Sequence, residues 1–439
     1  MSSKNKIPRR ALKKNHAWLL WLASPLVVSR VVAAPNVIAN PGLGPAPQPA
    51  VAQQDAINNE MNVFVPNGTA IDKSLPQPFQ YGEFTVRPHL DYSVSYGDGI
   101  QTAPTNQQET AIQQITPGIS LDYGTHWTLD YAPTIRFYSS SQFKDGVDES
   151  FSLAGRTHYE DWAFGLSQTF LYTTAPTAET AAQTEQQTFS TALTASDVLN
   201  DKLSLDLGLN QDFNYADNFQ NSKDWSATVG LNYIFWPRLT AGMSTTLQYV
   251  NEDIGPDQTS EQLNANLSWR ATDKISFVLS GGFEDLQYAD SSISDTLTPV
   301  FSGAIQYQPV KDTQIALNAS RSISPSIIPG SDTTSTSFGL SVSQKLFKKF
   351  NLDLGAGYGI SKYTEVIPLI EQLSPSEYRF FLYNFHRTDD TYTFSARLSH
   401  PFYKRGTWSV FYSYSDNQSS QNGFSYTSNQ VGFEISYRY

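Results

Sequence analysis

Apolar and polar residues alternate at every second position in many segments between Phe84 and the C-terminus. In one segment the apolar members are Trp225, Ala227, Val229, Leu231, Tyr233 and Phe235, and the residues between them are Ser226, Thr228, Gly230, Asn232 and Ile234. A period of two is that of a β-strand with one apolar and one polar face. The last residues, Val431 to Tyr439, follow the same pattern and end on an aromatic side chain. The pattern predicts an all-β chain.

Short turns separate these segments at nearly regular intervals, and longer loops rich in Asn, Gln, Asp, Ser and Thr lie between successive turns. The eight turns are Gly124–His126, Glu160–Asp161, Asn200–Lys202, Trp236–Arg238, Ala271–Lys274, Pro309–Asp312, Phe347–Lys349 and Tyr403–Gly406. We expect two strands for each turn, a first strand at Phe84–Tyr96 and a last strand at Phe424–Tyr439. The prediction is about eighteen strands, or sixteen if one hairpin is misread.

Short turns at one end of the strands and long loops at the other are typical of a transmembrane antiparallel β-barrel with periplasmic turns and extracellular loops. Aromatic residues lie mostly at the turn ends and predict a ring at the level of the lipid headgroups. These residues are Trp127, Tyr159, Trp162, Trp225, Phe235, Trp236, Trp269, Phe277, Tyr307, Trp408 and Tyr439. The alternative is a soluble all-β repeat, such as a propeller or a β-helix. A soluble sandwich would cover its apolar faces with a second sheet, and the sequence does not indicate where one would begin.

The N-terminal part of the chain has a different composition. Residues 1–34 have the basic start, the apolar stretch and the small residues of a secretory signal, with cleavage expected after Ala33 or Ala34. Residues 35–82 are rich in Pro, Asn and Gln and predict a periplasmic N-terminal segment with a short helix over Gln53–Met61. We expect no strand before Phe84, and residues 83–439 form the predicted barrel.

The charge balance limits the possible partners. The signal holds seven of the 29 basic residues and none of the 41 acidic ones, so the mature chain has 22 basic residues and a net charge of 22 − 41 = −19. This charge excludes nucleic acid as a partner. The mean hydropathy of −0.37 is compatible with a barrel, because only every second strand residue meets lipid. The chain has no cysteine and therefore no disulfide.

Charged residues occur among the polar positions that should face the lumen. The pore-lining candidates are Arg87, Asp91, Asp130, Arg136, Arg156, Asp206, Arg270, Lys345, Asp353, Arg397, Glu434 and Arg438. One interpretation is a constriction where opposed charges sort small solutes. The other is a set of cross-strand ion pairs on a hydrated wall.

Two other groups of residues belong to the predicted outer loops. Acidic residues there predict a negative mouth, binding of divalent ions that bridge lipopolysaccharide, or simply solvated loops: Asp145, Asp148, Glu149, Glu252, Asp253, Asp257, Glu261, Asp285, Asp290, Asp295, Asp389 and Asp390. The segment from Tyr363 to Asp390 is the longest excursion and is rich in aromatic residues. We expect it to extend a hairpin above the membrane; capping of the mouth or folding into the lumen are the alternatives.

No enzymatic activity is expected. The histidines of the mature chain, His89, His126, His158, His386 and His400, fall on different strands and heights. His89 and Asp91 share one face, but no nucleophile accompanies them as a serine or cysteine relay would require. The sequence contains no phosphate loop, metal-ligand cluster or dinucleotide fingerprint. We therefore expect neither a cofactor nor a metal.

The chain resembles the bacterial outer-membrane β-barrel porin families, most closely the group called "putative β-barrel porin type 2". The resemblance extends from Phe84 to Tyr439 and rests on the succession of strands and turns and on the closing pattern from Tyr412 to Tyr439. It implies an integral outer-membrane barrel. The last strand, with Phe433, Ile435, Tyr437 and Tyr439, would be the signal that the barrel-assembly machinery reads. The acidic constriction-loop motif of trimeric general porins is not recognisable in this sequence.

The function implied by this resemblance is a channel for passive or weakly selective passage of small hydrophilic solutes. Two alternatives stay open: an export port for an exopolysaccharide, and a structural barrel that does not conduct. The expected surroundings are outer-membrane lipid and lipopolysaccharide.

Overall fold

The computed structural model describes residues 79–98, 109–177, 182–289, 295–326, 331–374 and 377–439. The strands are β1 (Phe79–Tyr81), β2 (Phe84–Asp98), β3 (Thr110–Tyr123), β4 (Trp127–Tyr131), β5 (Thr134–Tyr138), β6 (Gly146–Tyr159), β7 (Trp162–Thr173), β8 (Pro176–Thr177), β9 (Ala182–Gln183), β10 (Gln186–Val198), β11 (Leu203–Ala216), β12 (Ser222–Trp236), β13 (Leu239–Glu252), β14 (Gln258–Trp269), β15 (Ile275–Tyr288), β16 (Thr296–Val310), β17 (Thr313–Pro325), β18 (Ser331–Leu346), β19 (Phe350–Ser374), β20 (Glu377–Phe402), β21 (Gly406–Ser419) and β22 (Tyr426–Arg438). In these ranges no helix is long and apolar enough to cross a membrane.

The main sheet closes on itself as an antiparallel barrel. Each of its strands pairs with its neighbours in sequence, and β22 pairs with β2 from His89↔Arg438 to Asp98↔Asn429. Strands β4 and β5 both pair with β3 on one side and β6 on the other, so they are two halves of one strand. The break between them falls at Ala132–Pro133, where proline cannot donate a ladder hydrogen bond. The barrel therefore has eighteen strands, which confirms the larger predicted number.

All eight predicted turns lie where the sequence places them, and each joins two neighbouring strands. Four of them use residues with positive φ: 59° at Gly124, 55° at Glu160, 50° at Phe347 and 48° at Tyr403. Positive φ is characteristic of the tight turns that match the twist of antiparallel strands. The longest hairpin is β19–β20, whose ladder continues to Ser374↔Glu377. The expectation that this segment extends the hairpin is confirmed for the described backbone.

The structure differs from the prediction at the N-terminal edge. Residues Phe79–Tyr81 form β1, which pairs with β2, whereas we expected no strand before Phe84. A strand of three residues is too short to be recognised from the alternation of apolar and polar residues. The Phe79 ring stacks on Tyr439 with centroids 4.8 Å apart, so β1 contacts the C-terminus. The predicted signal and the Gln53–Met61 helix lie outside the described residues.

The two faces of the barrel differ in chemistry and exposure. On β12, Val229 and Leu231 are 46% and 49% exposed, whereas Thr228 and Asn232 between them are 6% and 5% exposed. Inside a closed cylinder side chains converge, and outside it they diverge. The polar face is therefore the inner face, and the apolar face is the outer one.

Outer aromatic side chains form two rings instead of the single one predicted. At the turn end Trp269 stacks on Phe277 with centroids 5.3 Å apart. At the loop end Trp225 stacks on Tyr249 at 5.9 Å, so assigning Trp225 to the turn ends was wrong. Ten residues separate Trp225 from Phe235 on β12. At about 3.3 Å per residue and a tilt of about 40°, this spacing corresponds to about 25 Å, the usual height of the apolar band.

One seam of the barrel is incomplete at the extracellular end. The β16–β17 ladder ends at Phe301↔Arg321. Beyond that pair, β16 continues in register with β15 as far as Thr296, and β17 continues in register with β18 as far as Pro325. Pro299 on β16 and Pro325 on β17 lie in the separated parts. Proline is confined to sheet edges because it lacks the N–H that a central ladder needs.

Candidate functional site: the lumen

The inner wall is built from neutral polar side chains that hydrogen-bond across neighbouring strands. The hydroxyls of Thr228 and Thr246 lie 2.9 Å apart. Asn266 donates to Ser244 at 3.1 Å, and Thr391 donates to Asn417 at 2.7 Å. Because every second residue of each strand points inward, this polar lining follows directly from the alternation in the sequence.

Eleven of the twelve pore-lining candidates occupy strand positions on the same face as these polar residues. Arg270 is the exception, since it lies one residue beyond β14 in the following turn. Four of the cations lie near periplasmic turns of different hairpins, where their backbone N–H groups complete the ends of ladders: Arg156, Arg270, Lys345 and Arg438. Acidic side chains such as Asp353 and Glu434 lie in the same half of the barrel, so both signs of charge are present there.

Three candidate arginines form ion pairs. Arg87 pairs with Asp122 near the periplasmic end. Arg397 pairs with Glu434 at 2.9 Å, and Asp353 lies opposite Arg397 in the ladder. Arg136 pairs with Asp148 close to the extracellular loops. The cross-strand ion-pair interpretation therefore describes these three sites.

Two candidate aspartates are engaged by hydrogen bonds from other strands. Asp206 accepts from the Asn232 amide at 2.5 Å. Asp130 accepts from the Ser120 hydroxyl and lies 4.0 Å from Nδ1 of His89, so Asp130 and not Asp91 is the described carboxylate near this histidine. The Ser120 hydroxyl donates to a carboxylate and not to the imidazole, an arrangement unlike a serine–histidine relay. Asp91 lies between Thr116 and Ser436 in the ladders.

Sequence analysis missed a buried acidic group near the extracellular mouth. We expected Glu252 among the solvated loop residues, but it is 5% exposed and points inward, because it ends β13 on the polar face. Gln258 donates both to Glu252 and to Asp332, at 3.1 Å in each case, and the Tyr288 hydroxyl donates to Asp332. Asp148 and Asp389, also assigned to solvated loops, are buried as well.

This acidic group lies beyond the extracellular aromatic ring, since Glu252 follows Tyr249 by three residues on β13. Burial, together with the charge of Asp332, raises the pKa of Glu252 to about 8. Burial also raises the pKa of Asp332, against the opposing effect of the hydrogen bonds from Tyr288 and Gln258. Both carboxyl groups are therefore easier to protonate than exposed ones.

A buried cation lies on the opposite part of the mouth, on β20. Arg387 is 1% exposed, and its guanidinium lies between two rings, 3.8 Å from the centroid of Tyr363 and 4.1 Å from that of Phe424. Its Nε is 3.3 Å from Asp389. Cation–π contacts of this kind stabilise a desolvated arginine and here fix the base of the β19–β20 extension.

The closed ring of strands, the exposed apolar band between two aromatic rings and the polar inner face define the class of the protein: an integral membrane β-barrel with a polar interior.

Residues 262–439 match the family model described as "Putative beta-barrel porin 2". The resemblance stated from the sequence is confirmed over these residues, which form the C-terminal part of the barrel. No curated protein sequence matches the chain.

Several solved structures are similar in part. OccAB3 of Acinetobacter baumannii has a TM-score of 0.44 and 10% identity, covering 81% of this chain and 99% of that one. OprD of Pseudomonas aeruginosa has a TM-score of 0.42 and 10% identity, covering 81% and 95%. OccK8 (OprE) of the same organism has a TM-score of 0.42 and 10% identity, covering 81% and 98%. At such low values the family match is the comparison that bears on this chain.

Proposed function

We propose that the protein is an outer-membrane channel for passive, weakly selective passage of small hydrophilic solutes. The observation that carries the proposal is the closed eighteen-strand wall with a polar inner face. Strands about 4.8 Å apart and tilted by about 40° give such a wall a backbone diameter of about 36 Å. A cylinder of this width holds a water-filled passage unless inward groups fill it.

The distribution of charge supports weak selectivity. The extracellular end carries solvent-accessible loop carboxylates such as Asp253 and Asp257, and four cations lie around the periplasmic rim. A negative mouth enriches cations and repels anions, and more strongly at low ionic strength. We therefore propose preference for neutral and cationic solutes over anionic ones. The candidates Arg87, Asp91, Asp206, Asp353 and Arg397 would meet passing solutes along the inner wall.

The surroundings proposed for the barrel follow from its two ends and its outer face. Outer-membrane lipid and lipopolysaccharide would contact the apolar band and the acidic loops. The final strand, which closes the barrel against β2, would carry the assembly signal in Phe433, Ile435, Tyr437 and Tyr439. We propose no enzymatic activity and no cofactor. The exopolysaccharide export port is not favoured.

The test uses purified full-length protein in planar bilayers, and the absence of cysteine gives a clean background for thiol labelling. Ser395→Cys faces the lumen, and its neighbour Ala396→Cys faces lipid. Stable conductance steps are expected, and a charged thiol reagent should reduce the steps of Ser395→Cys but not those of Ala396→Cys. Wild-type protein that inserts but never conducts would overturn the proposal.

A further inference from the structure

The extracellular ends of β17 and β18 depart from the wall of the barrel. We call residues 322–326 and 332–335 the β17–β18 tip. It begins where the β16–β17 ladder ends, at Phe301↔Arg321. The tip stays paired internally and along its other side, since β18 continues in register with β19 as far as Ser331↔Glu365. The tip is thus the free edge of a sheet that is still attached to the barrel through β19.

Both faces of the tip contain buried side chains. Ile323 on one face is 5% exposed, and Thr333 on the other is 2% exposed. Lower in the same two strands the outward residues Leu317 and Leu340 are 46% and 41% exposed, as in the rest of the wall. In a strand of the barrel wall every second side chain faces outward and is exposed. Burial of side chains on both faces places the tip inside the barrel.

The contacts of Asp332 support this placement. By alternation with Phe338 and Leu340, Asp332 occupies an outward position on β18. It nevertheless accepts hydrogen bonds from Gln258 on β14 and Tyr288 on β15, whose side chains point inward. Strands β16 and β17 lie between these partners in the sheet. An outward side chain can meet inward side chains of such distant strands only if the tip has curled into the lumen.

We propose that the β17–β18 tip is the constriction element of the channel and that Asp332 latches it against the inner wall formed by β13 to β15. The proposal rests on the proposed channel function. Release of the latch would let the tip swing outward toward β16, because the register at Phe301↔Arg321, continued upward, brings Val300 opposite Ser322. The lumen would then widen at its extracellular end.

The latch is held by polar side-chain contacts of Asp332 with Gln258 and Tyr288. Facing Asp332 are Tyr288 and Glu284 on β15, Gln258 on β14 and Glu252 on β13, with Asp295 beyond Tyr288. A neutral carboxyl is compatible with these neighbours, whereas two ionised carboxylates joined only through Gln258 repel each other. The same prolines that prevent a continuous ladder, Pro299 and Pro325, favour separation of the seam.

The first experiment fixes the tip by covalent linkage. In Gln258→Cys/Asp332→Cys the latch is removed, so we expect larger conductance than in wild type, by roughly twofold or more if the tip blocks much of the cross-section. A bifunctional thiol-reactive reagent, such as a bis-methanethiosulfonate that forms one disulfide with each cysteine and releases two sulfinate ions, should restore the small conductance. Reduction of these disulfides should reverse this. The control pair Thr228→Cys/Thr246→Cys links two neighbouring wall strands and should not change conductance.

The second experiment uses the milder change Tyr288→Phe, which removes one hydroxyl and keeps the ring. Open time should increase, whereas Tyr249→Phe, which removes a hydroxyl bonded to Asp257 at similar height outside the lumen, should not change it. Suppose that the wild-type protein conducts and that the double-cysteine variant has the same conductance with and without the cross-link. This result would overturn the proposed latch but not the proposed channel function. A barrel that stays silent in wild type and in every variant would overturn both.

Discussion

Raising the pH should open the channel, because the latched tip binds protons more tightly than the released one. In the latched state burial raises the pKa of Glu252 from 4.5 to about 8. Release of the tip would take the charge of Asp332 away from this carboxyl and admit water, so its pKa would fall toward the ordinary value. The full difference of about 3.5 between the two pKa values sets an upper limit of about 5 kcal/mol, at about 1.4 kcal/mol for each tenfold change.

The sign follows from linkage. A carboxyl whose pKa is raised in one state stabilises that state fully below its ordinary pKa, and this contribution is lost as the pH rises through the higher value. The latch should therefore be strongest below about pH 4.5 and weaken progressively up to about pH 8. Within this window the ratio of open to latched channels should increase by up to about tenfold for each pH unit. Asp332, whose pKa is also raised, acts in the same direction.

The assay is the open probability of single channels in planar bilayers between pH 4.5 and 9 at constant salt. Glu252→Gln removes the titrating group but keeps an amide that can contact Gln258, so its pH response should be clearly shallower than that of wild type. An open probability that is constant or decreases with pH in wild type would refute this reasoning. Equal slopes in wild type and Glu252→Gln would also refute it.

Three further predictions concern the wall. Arg397→Ala leaves Glu434 without its ion-pair partner and should destabilise the barrel by roughly 1–3 kcal/mol in urea unfolding, with partial recovery in the double variant with Glu434→Gln. Val229→Lys places a charge in the middle of the lipid face and should lower the free energy of unfolding by about 2–4 kcal/mol, whereas Thr228→Lys on the inner face should lower it less. The two variants are compared by their unfolding midpoints and by the heat-dependent shift in their gel mobility. Deletion of Tyr439 should slow insertion into lipid vesicles with the assembly machinery and remove the stacking on Phe79; unchanged insertion would contradict the predicted assembly signal.

The fold was predictable because a barrel strand carries its two environments in its own sequence. Alternation from Trp225 to Phe235 gave the two faces, and turn residues such as Gly124 and Glu160 gave the connections. Strand β1 was missed because three residues carry no measurable period. Trp225 was misplaced because a turn-end and a loop-end aromatic residue look alike in sequence when the depth along a strand is not counted.

The lumen was predictable only in part, for a different reason. Alternation gives the face of the sheet on which Arg87 or Arg397 lies, but ion-pair partners depend on register, which pairs Asp353 with Arg397 and brings Glu434 within reach. For Asp332 alternation gives the outward face correctly, yet the side chain is inside, because the sheet itself curls. The only sequence signal for this was the pair Pro299 and Pro325, one on each strand of the seam, and it becomes meaningful once the two strands are known to be neighbours.

The chemistry of the latch suits a contact that must be reversible. Apolar side chains buried across the lumen would gain about 1.5–3 kcal/mol each and would hold the tip permanently. For a buried carboxyl the cost of desolvation offsets most of the stabilisation that its hydrogen bonds provide. Its net contribution to the stability of the contact is therefore small and depends on whether the carboxyl is protonated. Asp332, Gln258 and Tyr288 make a contact of this kind, and an ionised Glu252, held by the same Gln258, would repel an ionised Asp332. The acidic group that makes the contact weak therefore also makes it responsive to pH. An apolar contact of equal area would not respond to pH.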